Sequence, residues 1–216
     1  MNKPSLDVHS TAQSLRYSIS HSNSNKMKKL EIVGYKRANL GPVEAQAIRN
    51  EGNIPCVLYG GQEQIHFYAP SILFRALLFT PDVYEVTLNI EGDEYQAILQ
   101  ETQFHPVADH LLHADFLQIV DGKPIKVAVP VRLVGVAPGV QKGGKLVTRV
   151  RKMRVRGLAQ DIPDYIDVDV SELDLGKSVR VSEIVPGNYT LLESATNPVA
   201  SIEIPRALRG TAVAGK

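Results

Sequence analysis

The sequence predicts a mainly β protein with short helices and more than one module. Apolar and polar residues alternate with a period of two over many short segments, the spacing of strands that bury one face. Thirteen Pro and 16 Gly in 216 residues favour short elements joined by many turns. Charge is unevenly divided: residues 1–26 hold three basic and one acidic residue, residues 27–119 six and twelve, and residues 120–216 fifteen and ten. The net +1 therefore conceals an acidic first module and a basic second one. A basic module is either the footprint of a polyanionic partner or an ordinary solvated surface.

Composition excludes several classes. With 44% hydrophobic and 22% charged residues, the chain is neither disordered throughout nor a fibrous repeat. No run of 18 apolar residues is present, so a membrane-spanning helix is excluded. Cys56 is the single cysteine, which rules out an intramolecular disulfide and leaves no Cys pair for structural zinc; a reducing compartment is its natural home.

Residues 1–26 carry seven serines, lack sustained apolar periodicity, and read as a flexible extension. They contain no apolar core of a signal peptide, and Arg16 is too little arginine for a transit peptide. Met27 reads as the working start. Leu30, Ile32 and Gly34 then alternate with Glu31, Val33 and Tyr35 as a strand. Pro42 to Glu51 reads as a helix, with Pro at its start and Gly52 past its end. Ile54 to Tyr59 is a buried strand closed by Gly60-Gly61. Pro70 to Phe79 reads as a second helix, with Leu73, Leu77 and Leu78 on one side and Thr80-Pro81 as its stop. Glu85–Ile90 and Glu94–Thr102 form a hairpin around Glu91-Gly92-Asp93. The turn cluster Val120 to Pro124 marks a boundary between a domain of residues 27–120 and one of residues 121–206. The second is all-β, a sandwich or barrel-like sheet, with strands including Leu146–Val150, Ile166–Val170, Val179–Ile184 and Val199–Ile204. From Ala207 the chain is a small-residue, flexible tail.

Three constellations invite a chemical reading. Gly139 to Lys145 satisfies Gly-x4-Gly-Lys, but Leu146 stands where a phosphate-binding loop needs a magnesium-ligating hydroxyl, and a strand follows where a helix is required. A Gly-rich turn fits better than a nucleotide site. His105, Asp109, His110, His113 and Asp115 fall within eleven residues. Pro106 prevents a helix there, and a strand sends His110 and His113 to opposite faces, so a metal needs a special loop. No Ser or Cys sits in a nucleophile elbow. Finally, Arg37, Arg49, Tyr59, His113 and Asp115 suit RNA: arginines reach phosphates and stack on bases, a rim tyrosine presents its ring, and His113 and Asp115 share a strand face. Each also has a plain alternative as a half-buried strand residue, a solvated helix face or a surface hydrogen bond, and residue type alone leaves both open.

Arg37, Gly41, Ala47-Ile48-Arg49, Gly52, the run Ile54-Pro55-Cys56-Val57-Leu58-Tyr59-Gly60-Gly61, His105-Pro106 and Leu112-His113-Ala114-Asp115-Phe116 together resemble bacterial large-subunit ribosomal protein twenty-five, the 5S-rRNA-binding family. The later segments Val129-Pro130-Val131, Gly135 to Val140 leading to Gly143-Gly144, Asp161-Ile162-Pro163, Val168 to Ser171 and Asn197-Pro198-Val199 are similar to its longer, general-stress (CTC) subtype. The likeness runs from about Lys29 to Pro205. It implies a six-stranded β-barrel with short helices that binds the loop E region of 5S rRNA, followed by a β-rich domain at the large-subunit surface. It further implies a non-enzymatic component of the cytoplasmic ribosome, partnered by 5S rRNA and neighbouring ribosomal proteins, without cofactor, metal, membrane or small-molecule substrate. Position by position, the RNA contacts it implies are Arg37, Arg49, Tyr59, His113 and Asp115. Gly41-Pro42 replaces the family's usual Gly-Lys, and Gln46 and Asn50 replace basic residues beside the helix arginine, which implies fewer phosphate contacts and a flatter salt dependence. The rival expectation is a member with weakened or lost RNA binding, serving as a protein-interaction or stress-associated module.

Overall fold

The computed structural model describes residues 27–205; the Ser-rich extension 1–26 and the tail expected from Ala207 lie outside the described residues. Six strands close into a barrel: β1 (Lys28–Lys36), β2 (Asn53–Tyr59), β3 (Ile65–Pro70), β4 (Tyr84–Ile90), β5 (Asp93–Phe104) and β6 (Leu111–Gln118). Their order round the barrel is β1-β3-β2-β6-β5-β4. β1 pairs in parallel with β4 and β2 in parallel with β6, while the other pairs are antiparallel. Period-two alternation sends Ile32, Cys56, Leu58, Phe67, Leu88 and Phe116 inward, all fully buried, and leaves the outer face to mixed residues. The β4–β5 turn is the two-residue Glu91-Gly92, with φ of 54° and 102°, the double positive φ that matches strand twist.

α1 (Pro42–Asn50) bridges β1 and β2 across the barrel wall and buries Ile48. Pro42 stands in its first turn, where a missing N–H costs nothing, and Gly52, at φ 82°, ends it with its N–H on the Arg49 carbonyl. The helix expected over Pro70–Phe79 is divided. Ser71–Phe74 is a 3-10 turn and only α2 (Arg75–Phe79) is α-helical. The tighter first turn drops Phe74 into the barrel's end, where its ring meets Phe116 at 6.2 Å.

The second half comprises β7 (Ile125–Val134), α3 (Pro138–Gln141), β8 (Lys145–Thr148), β9 (Lys152–Gly157), β10 (Ile166–Asp169), β11 (Ser178–Arg180), β12 (Thr190–Leu191) and β13 (Pro198–Glu203). They form two sheets, β10-β7-β9-β12 and β11-β13-β8. The strand expected over Val179–Ile184 ends at Arg180 and becomes a 3-10 turn at Val181–Glu183. The reason is parity: Val181 and Ile184 are both buried, and residues three apart share a face in a 3-10 turn but not in a strand.

The two halves share apolar packing. Met27, Val83 and Ile98, on or beside the barrel's outer face, lie in one buried cluster with Val129, Met153, Val155 and Val199, and Leu117 and Ile119 pack against it. Their exposures are 4%, 6% and 2%. The Gln100 amide also donates to the Lys126 carbonyl at 3.0 Å.

The glycine-rich loop has a packing role. A Cβ on Gly139 would stand 2.7 Å from the Asp174 carbonyl carbon and 2.8 Å from the Leu175 nitrogen, and one on Gly144 would stand 2.7 Å from the Gly139 carbonyl oxygen. Close backbone approach accounts for both glycines. The loop's helical turn, α3, precedes the lysine instead of following it, and Lys145 starts a strand.

Candidate nucleic-acid interface

One outer row of the barrel wall collects most of the candidate residues. The Arg37 N–H donates to the His66 carbonyl at 3.0 Å. His66 lies opposite Val57, Val57 opposite Asp115, and Asp115 opposite Glu101. On the adjoining row His113 faces Gln103, and Tyr59 closes β2 beside Leu117. With neighbouring strands about 4.8 Å apart, Arg37 stands three strands, at most roughly 14 Å, from Asp115.

Two bulges build this surface. Between Leu99 and Glu101 the register slips by one residue, so Gln100 is unpaired and the strand's parity reverses. Leu99 points in opposite Phe116, yet Glu101 and Gln103 point out opposite Asp115 and His113. Between Gln103 and Phe104 the slip falls on the other strand and leaves Leu112 unpaired. The Leu112 carbonyl accepts the Arg49 Nε–H at 3.0 Å, pinning the helix arginine beside His113. Arg49 thereby commits one of its five donors to the barrel.

His113 and Asp115 form the shortest polar contact of the surface, Nδ1 to Oδ1 at 2.6 Å, with side chains 25% and 26% exposed. The carboxylate accepts from the ring N–H and so fixes which imidazole nitrogen carries the proton. Burial, and then the charges of Asp115 and Glu101, push the Tyr59 phenol above its ordinary pKa, so at neutral pH it remains a donor. Arg37 is the outlier. Its Nε and Nη2 are inaccessible and have no hydrogen-bond partner within the protein.

The structure therefore brings Arg49, Tyr59, His113 and Asp115 together, and sets Arg37 at the far end of the same wall. Sequence reasoning missed Glu101, and also Tyr35 and Tyr68, whose rings meet at 5.6 Å one row from Arg37. Tyr35, 49% exposed, had a signal in the sequence: it is two residues before Arg37 on an alternating strand. Among the described residues the other histidines lie apart. His105 and His110 stack at 4.9 Å, and His105 Nδ1 accepts the Val107 and Ala108 N–H groups.

Comparison with known proteins decides the family. The model of the ribosomal L25p family matches residues 32–116, and that of the C-terminal domain of ribosomal protein TL5 matches residues 124–206. The chain belongs to the ribosomal L25p family. It is 51% identical over 186 residues to large ribosomal subunit protein bL25 of Amoebophilus asiaticus, covering 86% of this chain and 95% of the relative. Against the protein of that name from Cytophaga hutchinsonii it is 47% identical over 183 residues, 85% of this chain and 95% of the relative. With that of Porphyromonas gingivalis the figures are 44% over 189 residues, 87% and 98%. The chain is thus a structural component of the cytoplasmic bacterial ribosome, not an enzyme.

Proposed function

We propose that this ribosomal protein binds 5S rRNA through the outer wall β3-β2-β6-β5 of its barrel, with Arg37, Arg49, Tyr59, His113 and Asp115 as contacts. Residues 27–120 are the binding unit, and residues 121–206 form a second domain at the surface of the large subunit, among neighbouring ribosomal proteins. The observation that carries the reading is the His113–Asp115 pair, 2.6 Å apart with both side chains about one quarter exposed, on one outer wall with Arg49 and Tyr59. Arg49 gives only its Nε–H to the barrel, and RNA supplies acceptors for its other donors as phosphate oxygens, 2′-hydroxyls and base edges. Glu101 and Asp115 repel phosphate, so the backbone tracks past Arg37 and Arg49 while the carboxylates meet base edges or riboses. Gel-shift titration of the full chain against 5S rRNA and a scrambled RNA of equal length, at two salt concentrations, tests this. Preference for 5S rRNA that survives at the higher salt and falls in Asp115→Ala supports the proposal. Equal affinity for both RNAs refutes it.

A further inference from the structure

A cleft of about 1160 Å³ lies in the second half, away from the barrel wall. One side is lined by Tyr165 to Asp169 in unbroken succession. Residues of both parities line it, so the cleft runs along the edge of β10, not over one face. β10 pairs with β7 alone and ends its sheet. The opposite side includes Ser178 and Val179 of β11, which pairs with β13 alone and ends the other sheet. Two unpaired strand edges therefore face one cleft.

The ladder decides which backbone groups point into it. The Val170 N–H donates to the Val134 carbonyl at 2.9 Å. In a parallel pair alternate residues turn both backbone groups the same way, so Ile166 and Val168 bond β7 while Asp167 and Asp169 present N–H and C=O to the cleft.

Charge then selects the occupant. Asp161, Asp167, Asp169, Glu172 and Glu183 line the cleft against a single cation, Lys177. Asp167 is held by Arg132 at 2.7 Å and Asp169 by the Ser171 N–H at 2.8 Å. Asp161, Glu172 and Glu183 have no ion-pair partner among the described residues. An RNA backbone is repelled, and a second copy of this edge would set acid against acid. Ile184 and Tyr189 supply apolar surface between the carboxylates, the Tyr165 ring has the Arg132 guanidinium over one face at 3.9 Å, and Val185 stands 90% exposed at the rim.

We infer that this cleft docks an extended segment of a neighbouring protein, rich in Lys or Arg alternating with apolar residues, as an added strand on the free edge of β10. Main-chain bonds to Asp167 and Asp169 give register, and the carboxylates select the basic side chains. The inference does not depend on the 5S rRNA reading. The test uses the isotope-labelled full chain with a short peptide of alternating Lys and Val, and with the same peptide carrying Glu for Lys. The Lys–Val peptide is expected to slow amide exchange at Asp167 and Asp169. Its affinity is expected to fall at least about tenfold in the exposed-site variant Glu172→Lys/Glu183→Lys, and by less in Glu172→Gln/Glu183→Gln. Both variants should keep the parent's amide spectrum away from the cleft, which reports that the second domain is folded. Protection of those amides by the Glu–Val peptide or by an RNA oligonucleotide, unchanged affinity in the charge-reversed variant, or no protection at Asp167 and Asp169 overturns the inference.

Discussion

Asp115→Ala should weaken 5S rRNA binding by about tenfold to a hundredfold, and the opposing effects can be weighed. The substitution removes the acceptor 2.6 Å from His113 Nδ1, at a site three-quarters covered before RNA arrives. Docking completes the desolvation, and a donor then left unpaired costs roughly 1–3 kcal/mol, where 1.4 kcal/mol is tenfold in affinity. Against this, losing a negative charge relieves repulsion of nearby phosphates. At about 8 Å in water that relief is roughly 0.5 kcal/mol, and salt screens it further. The hydrogen-bond loss wins. Asp115→Asn, which keeps an acceptor oxygen, should lose less. Lys28→Ala is the control: Lys28 opens β1 at the end opposite Arg37 and is ion-paired to Asp82. Binding would be read by gel shift at low and high salt, with circular dichroism checking the fold. Tighter binding by Asp115→Ala, or a loss that vanishes as salt rises, would refute the argument and make Asp115 an ordinary surface acid.

Further outcomes follow from the same geometry. Gly139→Ala should cost roughly 1–3 kcal/mol because its Cβ meets the Asp174–Leu175 backbone, a fall of about 2–10 °C in melting temperature; Lys145→Ala should leave both stability and nucleotide affinity unmoved, and calorimetry showing ATP binding lost in Lys145→Ala would restore the phosphate-loop reading. The Cys56 thiol, fully buried, has its pKa pushed far up by desolvation, so at pH 8 it should resist a disulfide reagent until denaturant is added; rapid labelling of the native protein would contradict the packing. A fragment of residues 27–120 should keep 5S rRNA affinity within a few-fold but melt below the full chain, because Met27, Val83 and Ile98 lose their cover; equal melting temperatures would show that the shared cluster adds no stability. In the full chain Ile98→Ala should cost about 2–5 kcal/mol by thermal melt, near the range of buried Ile truncations.

Much of the barrel was legible because its inner positions obey a period of two and its turns use Gly and Pro. β1, β2, the β4–β5 hairpin and α1 appear where the spacing puts them. β3 was overlooked: its outward residues His66 and Tyr68 are aromatic, so the run Ile65–Pro70 shows no polar alternation. The candidate site was legible only in part. His113 and Asp115 lie two apart, and their contact follows from strand geometry alone. Glu101 joins them through a bulge at Gln100, and Arg49 is fixed by a carbonyl 63 residues away that a second bulge frees. Register slips leave no mark in a pattern read one strand at a time. Gly139 has the same difficulty, since its neighbour is the Asp174–Leu175 backbone. A motif search sees phosphate chemistry where the fold needs only an absent side chain.

The cluster that joins Met27 and Val83 to Val199 imposes an order on synthesis. The barrel can close once Gln118 has emerged, because β6 supplies the last pairings with β2 and β5. Val199 of β13, which completes the cluster over its outer apolar patch, follows some 80 residues later. At elongation rates of about 5–20 residues per second, that interval is roughly 4–16 seconds. For that time the nascent chain carries a closed barrel whose flank is only partly covered, a natural station for a chaperone, and β13 completes the cover.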